Sequence, residues 1–257
     1  MARMRARLVG WFLLALGLIS LAGAIIYESF IPALVGLGLT FWGPLLLYIS
    51  TEKYVKQALL DSTVVPSLAD LDQMLTELEY QGKRIYLPPK YFKDFETSRI
   101  FIPKNKGTDL PTPQEIQQQE EKIFLENPAA VLIIPPGQSL SKLFEKTLGT
   151  SFTKLDLKYL QENLPKLFIE DLEIAEALEL EIEHGEVVHS KITNSVYKDI
   201  HRQAMKLSRI CNAIGCPICS AIACALAKAT GKAVTIERTE ASEEGKILEA
   251  YYRILQD

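Results

Sequence analysis

The chain has 257 residues, 48% of them apolar and 23% charged, with a formal net charge of −4. That composition excludes a disordered tail and a nucleic-acid binder that works by neutralising many phosphates. The charge is uneven: residues 1–51 carry only Arg3, Arg5, Arg7 and Glu28, and the rest of the chain holds the other 56 of 60 charged side chains.

Residues 8–26 and 31–49 contain no charge at all, and as helices of about 28 Å each matches the hydrocarbon thickness of a bilayer. Residues 27–30 alone separate them, and Pro32 falls just inside the second helix, where its missing N–H costs little. Residues 1–51 therefore read as a transmembrane helical hairpin whose first partner is the lipid bilayer. Arg3, Arg5 and Arg7 precede the first span and Lys53 and Lys56 follow the second, so the positive-inside rule places both termini in the cytoplasm of a multi-pass cell-membrane protein. A cleaved signal peptide is the competing reading, from the basic start, the apolar core and Ala22-Gly23-Ala24; the second span would keep its orientation after cleavage. Gly17, Ser20 and Ala24 share one helical face, as do Gly36, Thr40 and Gly43. Small residues at this spacing let the two helices pack on each other, or supply a homodimer seam or a partner site. Trp11, Trp42 and Tyr48 read as interfacial anchors.

Beyond the spans, residues 52–66 form a juxtamembrane helix and linker ending before Pro66. Residues 67–150 form an α/β segment. Ser67-Leu68-Ala69-Asp70 is a capping box, Leu68, Leu71, Leu75 and Leu78 follow at helical spacing, and Gly82 closes the helix. Strands are expected over 83–87 and 98–102, each stopped by proline, then a loop over 104–112. Thr112-Pro113-Gln114-Glu115 starts a further helix; 129–134 reads as a buried strand; Ser139 opens a helix that ends at Gly149. Residues 83–134 either form a small domain of their own or complete the C-terminal sheet.

Residues 151–257 read as a C-terminal α+β domain. A helix over 155–172 is broken at Pro165, and 177–183 alternates Leu178, Leu180 and Ile182 with Glu179, Glu181 and Glu183, the period of a half-exposed strand. It returns as 186–192 after a turn at His184-Gly185. Helices over 195–214 and 217–230 follow, and 234–238 pairs with 247–254 across Ser242–Gly245. Hairpin, two helices, hairpin is an α+β order, so the fold class is an N-terminal transmembrane helical hairpin followed by a cytosolic α+β domain.

All four cysteines lie between Cys211 and Cys224. In a cytosolic domain they are unlike structural disulfides, which leaves three readings. Cys216-Pro217-Ile218-Cys219 at a helix start has the form of a thiol-redox motif, although a helix precedes it where the redox folds place a strand. Cys211, Cys216 and Cys219 converging around Gly215 form a candidate metal site for zinc or an iron–sulfur cluster, with a fourth ligand from His184, His189, His201 or another chain. Cysteine as a small buried apolar residue in an Ala-rich helix is the third. Eight acidic residues between Glu170 and Glu186 read as a solvated strand edge. Lys198, Arg202, Lys206 and Arg209 form a basic helix face that suits an acidic protein partner or anionic lipid. Pro135-Pro136-Gly137 lacks the glycines and the Lys-Ser/Thr pair of a phosphate loop, and neither a catalytic triad nor a dinucleotide fingerprint occurs.

The run from Gly215 to Gly231, joined to Leu164–Leu172 and the two spans, resembles a group of uncharacterised archaeal two-span membrane proteins, which implies the architecture and no activity. The order of elements over Ala177–Leu255 resembles the small-molecule-binding domains named for vinyl reductase. That resemblance implies an apolar ligand and, in some members, a metal held by cysteines. Those domains carry further Cys or His near their final hairpin, and 234–255 has neither. With no catalytic constellation, the expectation is a membrane-anchored cytoplasmic ligand-binding or protein-interaction module rather than an enzyme. A metal-binding or thiol-redox regulatory protein is the alternative.

Overall fold

A computed structural model describes residues 2–51, 57–80, 82–94, 96–183, 185–204, 216–242 and 244–256. The chain divides into two compact units, Met1–Lys56 and Gln57–Asp257.

The first unit is a pair of helices, α1 (Ala2–Ile26) and α2 (Phe30–Thr51). Their turn closes through Tyr27 N–H to Gly23 O and Ser29 N–H to Ala24 O, with Glu28 at positive φ. The small residues lie between the helices. A Cβ on Gly17 would stand 2.8 Å from Thr40 Cγ2, and one on Gly36 2.7 Å from Leu21 Cγ. Ser20 Oγ donates to Pro32 O at 2.8 Å across the pair. Packing of α1 on α2 is thus where these faces are used. Val9–Ile26 and Phe30–Tyr48 are each long and apolar enough to cross a membrane. Their outward side chains, Trp11, Phe12, Ile19, Phe41, Trp42 and Tyr48 among them, are exposed.

The second unit begins with α3 (Gln57–Glu77), which corrects the boundary expected at Pro66. Proline removes one N–H and crowds the carbonyl four residues back, a cost that normally stops a helix. Here the helix continues because residues beyond the proline are buried: Leu68 packs with Ile200 and Leu75 enters the main core. Ser67 is consequently inside a helix and not its cap. The helix also ends before Gly82, since Glu79 takes the left-handed conformation (φ 59°) and Tyr80 N–H closes onto Leu75 O. Gly82 instead lies against Pro103, to whose carbonyl its N–H donates.

Among the described residues eight strands follow: β1 (Ile85–Leu87), β2 (Arg99–Pro103), β3 (Phe124–Glu126), β4 (Ala129–Ile133), β5 (Ala177–Glu183), β6 (Val187–Thr193), β7 (Val234–Ala241) and β8 (Ile247–Ile254). They form one antiparallel sheet in the order β3-β4-β2-β1-β7-β8-β6-β5. The halves meet where β1 pairs with β7 through Ile85↔Thr235 and Tyr86↔Val234. Residues 83–134 therefore complete the C-terminal sheet. Strand β3 has no counterpart in the expected elements, because three residues with Leu125 alone buried leave no periodicity to read.

One face of the sheet carries α8 (Pro217–Thr230), buried without interruption from Pro217 to Lys228, together with α5 (Gln138–Leu148) and α6 (Leu157–Lys166). Tyr86, Ile100, Val131, Val188, Ile192 and Tyr252 meet these helices in the main core. Each such side chain contributes about 1.5–3 kcal/mol of burial. On the opposite face of the first half, Tyr91, Phe92, Ile116 and Leu125 form a second core beneath the helix α4 (Pro113–Gln117), whose Thr112–Glu115 capping box is present as expected. The second half leaves that face open to water, with Glu179, Glu181 and Glu183 exposed along β5. Pro165 does not break α6; the helix passes it and widens into a π turn over Leu167–Asp171. Helix α7 (Lys198–Ala204) is the described part of the helix expected over 195–214.

Candidate functional site

Two features meet at the start of α8. The first is an apolar groove of about 570 Å³. Its walls are Val64, Leu68 and Leu71 of α3, Pro136, Leu140 and Leu143 at and within α5, and Pro217 at the first turn of α8, with Ser67, Ser139 and Tyr197 adding hydroxyls. Helix α3 is fixed over the groove at two points, Leu68 by Ile200 of α7 and Leu75 by the main core, and Leu71 between them is partly buried against that core.

The second is a buried polar centre beneath α8. Cys216 caps the helix, accepting a hydrogen bond from Cys219 N–H at 3.4 Å, and Pro217 takes the first helical position. The sulfurs of Cys216 and Cys219 lie 3.2 Å apart, both buried and both thiols. Tyr86 from β1 and Tyr252 from β8 rise from the sheet towards them, with Ser220 bonded to the Tyr86 hydroxyl and Ser190 Oγ donating to that of Tyr252 at 3.4 Å. Burial, with the neighbouring cysteines adding to it, pushes both phenols well above the usual tyrosine range, so they stay protonated donors at any physiological pH. Cys224 stands apart on the same helix. Its thiol contacts Gln138 Oε1 at 3.9 Å, and burial pushes its pKa up to about 12.

The joint between groove and centre is backbone on backbone. A Cβ on Gly137 would lie 2.1 Å from Ala221 N and 2.4 Å from Pro217 O, so only glycine lets the β4–α5 turn settle onto α8. Gly137 N–H donates to Ser220 Oγ at 3.1 Å. That donor is therefore occupied, and Pro135 and Pro136 have none, which makes this segment a packing turn and not an anion cradle. Gln138 Nε2 and Ser141 Oγ are buried in the same α5–α8 interface without a hydrogen-bond partner. Nearby, Lys228 and Glu145 pair at 2.8 Å. The ammonium is 3% exposed and the carboxylate also accepts from Ser151 and from Phe152 N–H.

Of the expected ligands, the structure brings Cys216 and Cys219 together; Cys211 and His184 lie outside the described residues, as does the side chain of His201. His189 belongs to the opposite face of the sheet from Ser190 and Tyr252, stacked on Tyr251 and 3.3 Å from Glu249, so it does not reach the cysteines. Among the described residues no group of three His, Cys, Asp or Glu side chains is arranged to hold a metal ion. In the basic face, Arg202 pairs with Asp199 at 2.9 Å, Lys198 begins α7, and Lys206 and Arg209 lie outside the described residues. The two tyrosines were missed in the sequence, where Ile85-Tyr86-Leu87 is a plain apolar run; the signal available was Tyr252, which falls in phase with Leu248, Ala250 and Ile254 on the buried side of its strand.

Residues 1–251 match the model of a family described as a domain of unknown function, DUF7982. The chain belongs to that family. The match runs through both units, so the apolar helix pair and the α+β unit are parts of one family architecture. No curated protein and no solved structure matches the chain.

Proposed function

We propose that this DUF7982 chain is a membrane-anchored, cytoplasm-facing module that binds an apolar, lipid-like ligand in the groove between α3, α5 and the first turn of α8. The groove itself carries the reading. Its volume falls in the range of roughly 300–1,000 Å³ typical of small-molecule sites, its walls are leucine, valine and proline, and hydroxyls at three positions suit one polar end. Val9–Ile26 and Phe30–Tyr48 support the anchor, and the distribution of Arg3, Arg5, Arg7, Lys53 and Lys56 supports a cytoplasmic position for both termini. The resemblance of Ala177–Leu255 to the vinyl-reductase-type domains agrees with an apolar ligand, and that segment contributes Tyr197 and Pro217 to the groove.

The test uses the full chain in lipid nanodiscs with a fatty acid bearing a photoreactive diazirine. Crosslinks are expected in peptides covering Val64–Leu71 and Pro136–Leu143, and Leu140→Trp, which fills the groove, is expected to remove them while those on the helix pair persist. Crosslinks confined to the helix pair in the unaltered chain overturn the reading.

A further inference from the structure

We infer that Cys216 and Cys219 form a reversible dithiol–disulfide couple whose oxidation state sets the occupancy of the adjoining groove. The regulatory half rests on the proposed groove; the couple itself stands on the geometry of the two cysteines.

The sulfurs are already 3.2 Å apart, on residues one helical turn from each other, and a bond of about 2.05 Å needs them to approach by little more than an ångström. Cys216 sits at the N-terminus of a 14-residue helix, where the Cys219 N–H points at its sulfur. Both features stabilise negative charge that develops on that sulfur in the transition state of its attack. Tyr86 and Tyr252 add protonated hydroxyls to the same centre. Cys224, five residues further along α8, has none of this and serves as the internal control.

Both thiols are buried, so the oxidant has to be compact, and a hydroperoxide satisfies that. In the first step the Cys216 sulfur attacks the distal peroxide oxygen. An S–O bond forms, the O–O bond breaks, the thiol proton goes to the departing oxygen, and the products are a sulfenic acid and an alcohol, or water when hydrogen peroxide is the oxidant. In the second step the Cys219 sulfur attacks the sulfenic sulfur, the S–S bond forms, and hydroxide leaves with the Cys219 proton as water. Two electrons pass from the two thiols to the peroxide, and an external dithiol returns them by exchange.

Coupling to the groove follows from two contacts. Pro217, between the two cysteines, is part of the groove wall. Gly137, next to the wall residue Pro136, is locked to the same turn of α8 by the bond to Ser220 and by backbone contact with Ala221 and Pro217. Drawing the sulfurs together moves the first turn of α8, and with it both of these walls, so the dithiol form holds ligand and the disulfide form releases it.

The experiment treats the full chain in nanodiscs with hydrogen peroxide, then denatures it and alkylates with N-ethylmaleimide. Mass spectrometry should find the Cys216–Cys219 peptide two hydrogens lighter and unalkylated, Cys224 alkylated, and the change reversed by dithiothreitol. Continued alkylation of Cys216 and Cys219, irreversible over-oxidation, or a bridge to Cys211 instead overturns the couple. Diazirine fatty-acid crosslinking in the groove should fall severalfold on oxidation and lose its peroxide response in Cys219→Ser. Equal crosslinking in the two states, with the disulfide formed, overturns the regulation alone. An absence of groove crosslinks in either state overturns the groove reading and with it the regulation, and alkylation still decides the couple.

Discussion

The helix pair and the α+β unit both rely on glycine to bring backbones together, and they use the closeness for different ends. Between α1 and α2 the small residues recur, at Gly10, Gly17, Gly36 and Gly43: a Cβ on Gly10 would meet the Leu47 side chain at 2.9 Å, and one on Gly17, Gly36 or Gly43 would meet backbone nitrogen as well as a side-chain carbon at 2.7–2.9 Å. In the α+β unit the joint onto α8 is at Gly137, and what a Cβ there would meet is backbone nitrogen and carbonyl at 2.1–2.4 Å. The pair shares its contact along a seam with its apolar exterior turned outward, whereas the α+β unit holds its groove and its cysteine centre together through one joint. The first should tolerate small insults and the second should not.

Gly137→Ala tests this most severely. A methyl group forced against the backbone of α8 is expected to cost about 3 kcal/mol or more, the upper end of overpacking, and to lower the denaturant midpoint of the α+β unit along with groove crosslinking. Glu145→Ala should cost about 3 kcal/mol, since it leaves the Lys228 ammonium buried without its carboxylate; Lys228→Met in the same background should recover part of the loss, and failure to do so would mean the pair is not the source. Alkali offers a third contrast. Tyr86 and Tyr252 have folded pKa values raised by burial, so the folded state holds more protons than the unfolded one above pH of about 10. Stability is fully present below that pH and falls as pH rises towards the folded values. Phenolate absorbance should therefore show two tyrosines that titrate only with unfolding. The smallest effect belongs to Gly10→Ala, whose new methyl would press on the Leu47 side chain: about 1 kcal/mol, read as a broader distance distribution between spin labels on α1 and α2, with the unfolding of the α+β unit unchanged.

The same contrast explains what the sequence disclosed. Charge-free runs, Thr112-Pro113-Gln114-Glu115, and the alternation of Leu178, Leu180 and Ile182 with glutamates are local signals, and the elements they foretell are present. Pro66 and Pro165 misled because a proline's cost is local while the burial that overrides it, of Leu68 and Leu75 or of Leu164, Leu167 and Phe168, comes from the tertiary fold. The Cys216–Cys219 spacing was legible; the two tyrosines beneath it were not, since Tyr86 and Tyr252 reach the cysteines only once β1 and β8 are placed in one sheet. The groove, too, draws its walls from Val64, Leu140 and Pro217, which share no local pattern.

The seam between the half-sheets bears on how the chain is made. Strand β1 finds its neighbour β7 only through residues as distant as Arg84 and Thr235, 151 positions apart, and by only two residue pairs. During synthesis from the N-terminus, β1 must wait with an unpaired edge until β7 has left the ribosome, an arrangement that slows folding and invites pairing with another chain. Its brevity, three residues followed at once by Pro88 and Pro89, shortens the edge on offer during that delay. The buried dithiol centre, floored by Tyr86 on one side of the seam and Tyr252 beyond the other, is thus among the last parts of the described fold to assemble.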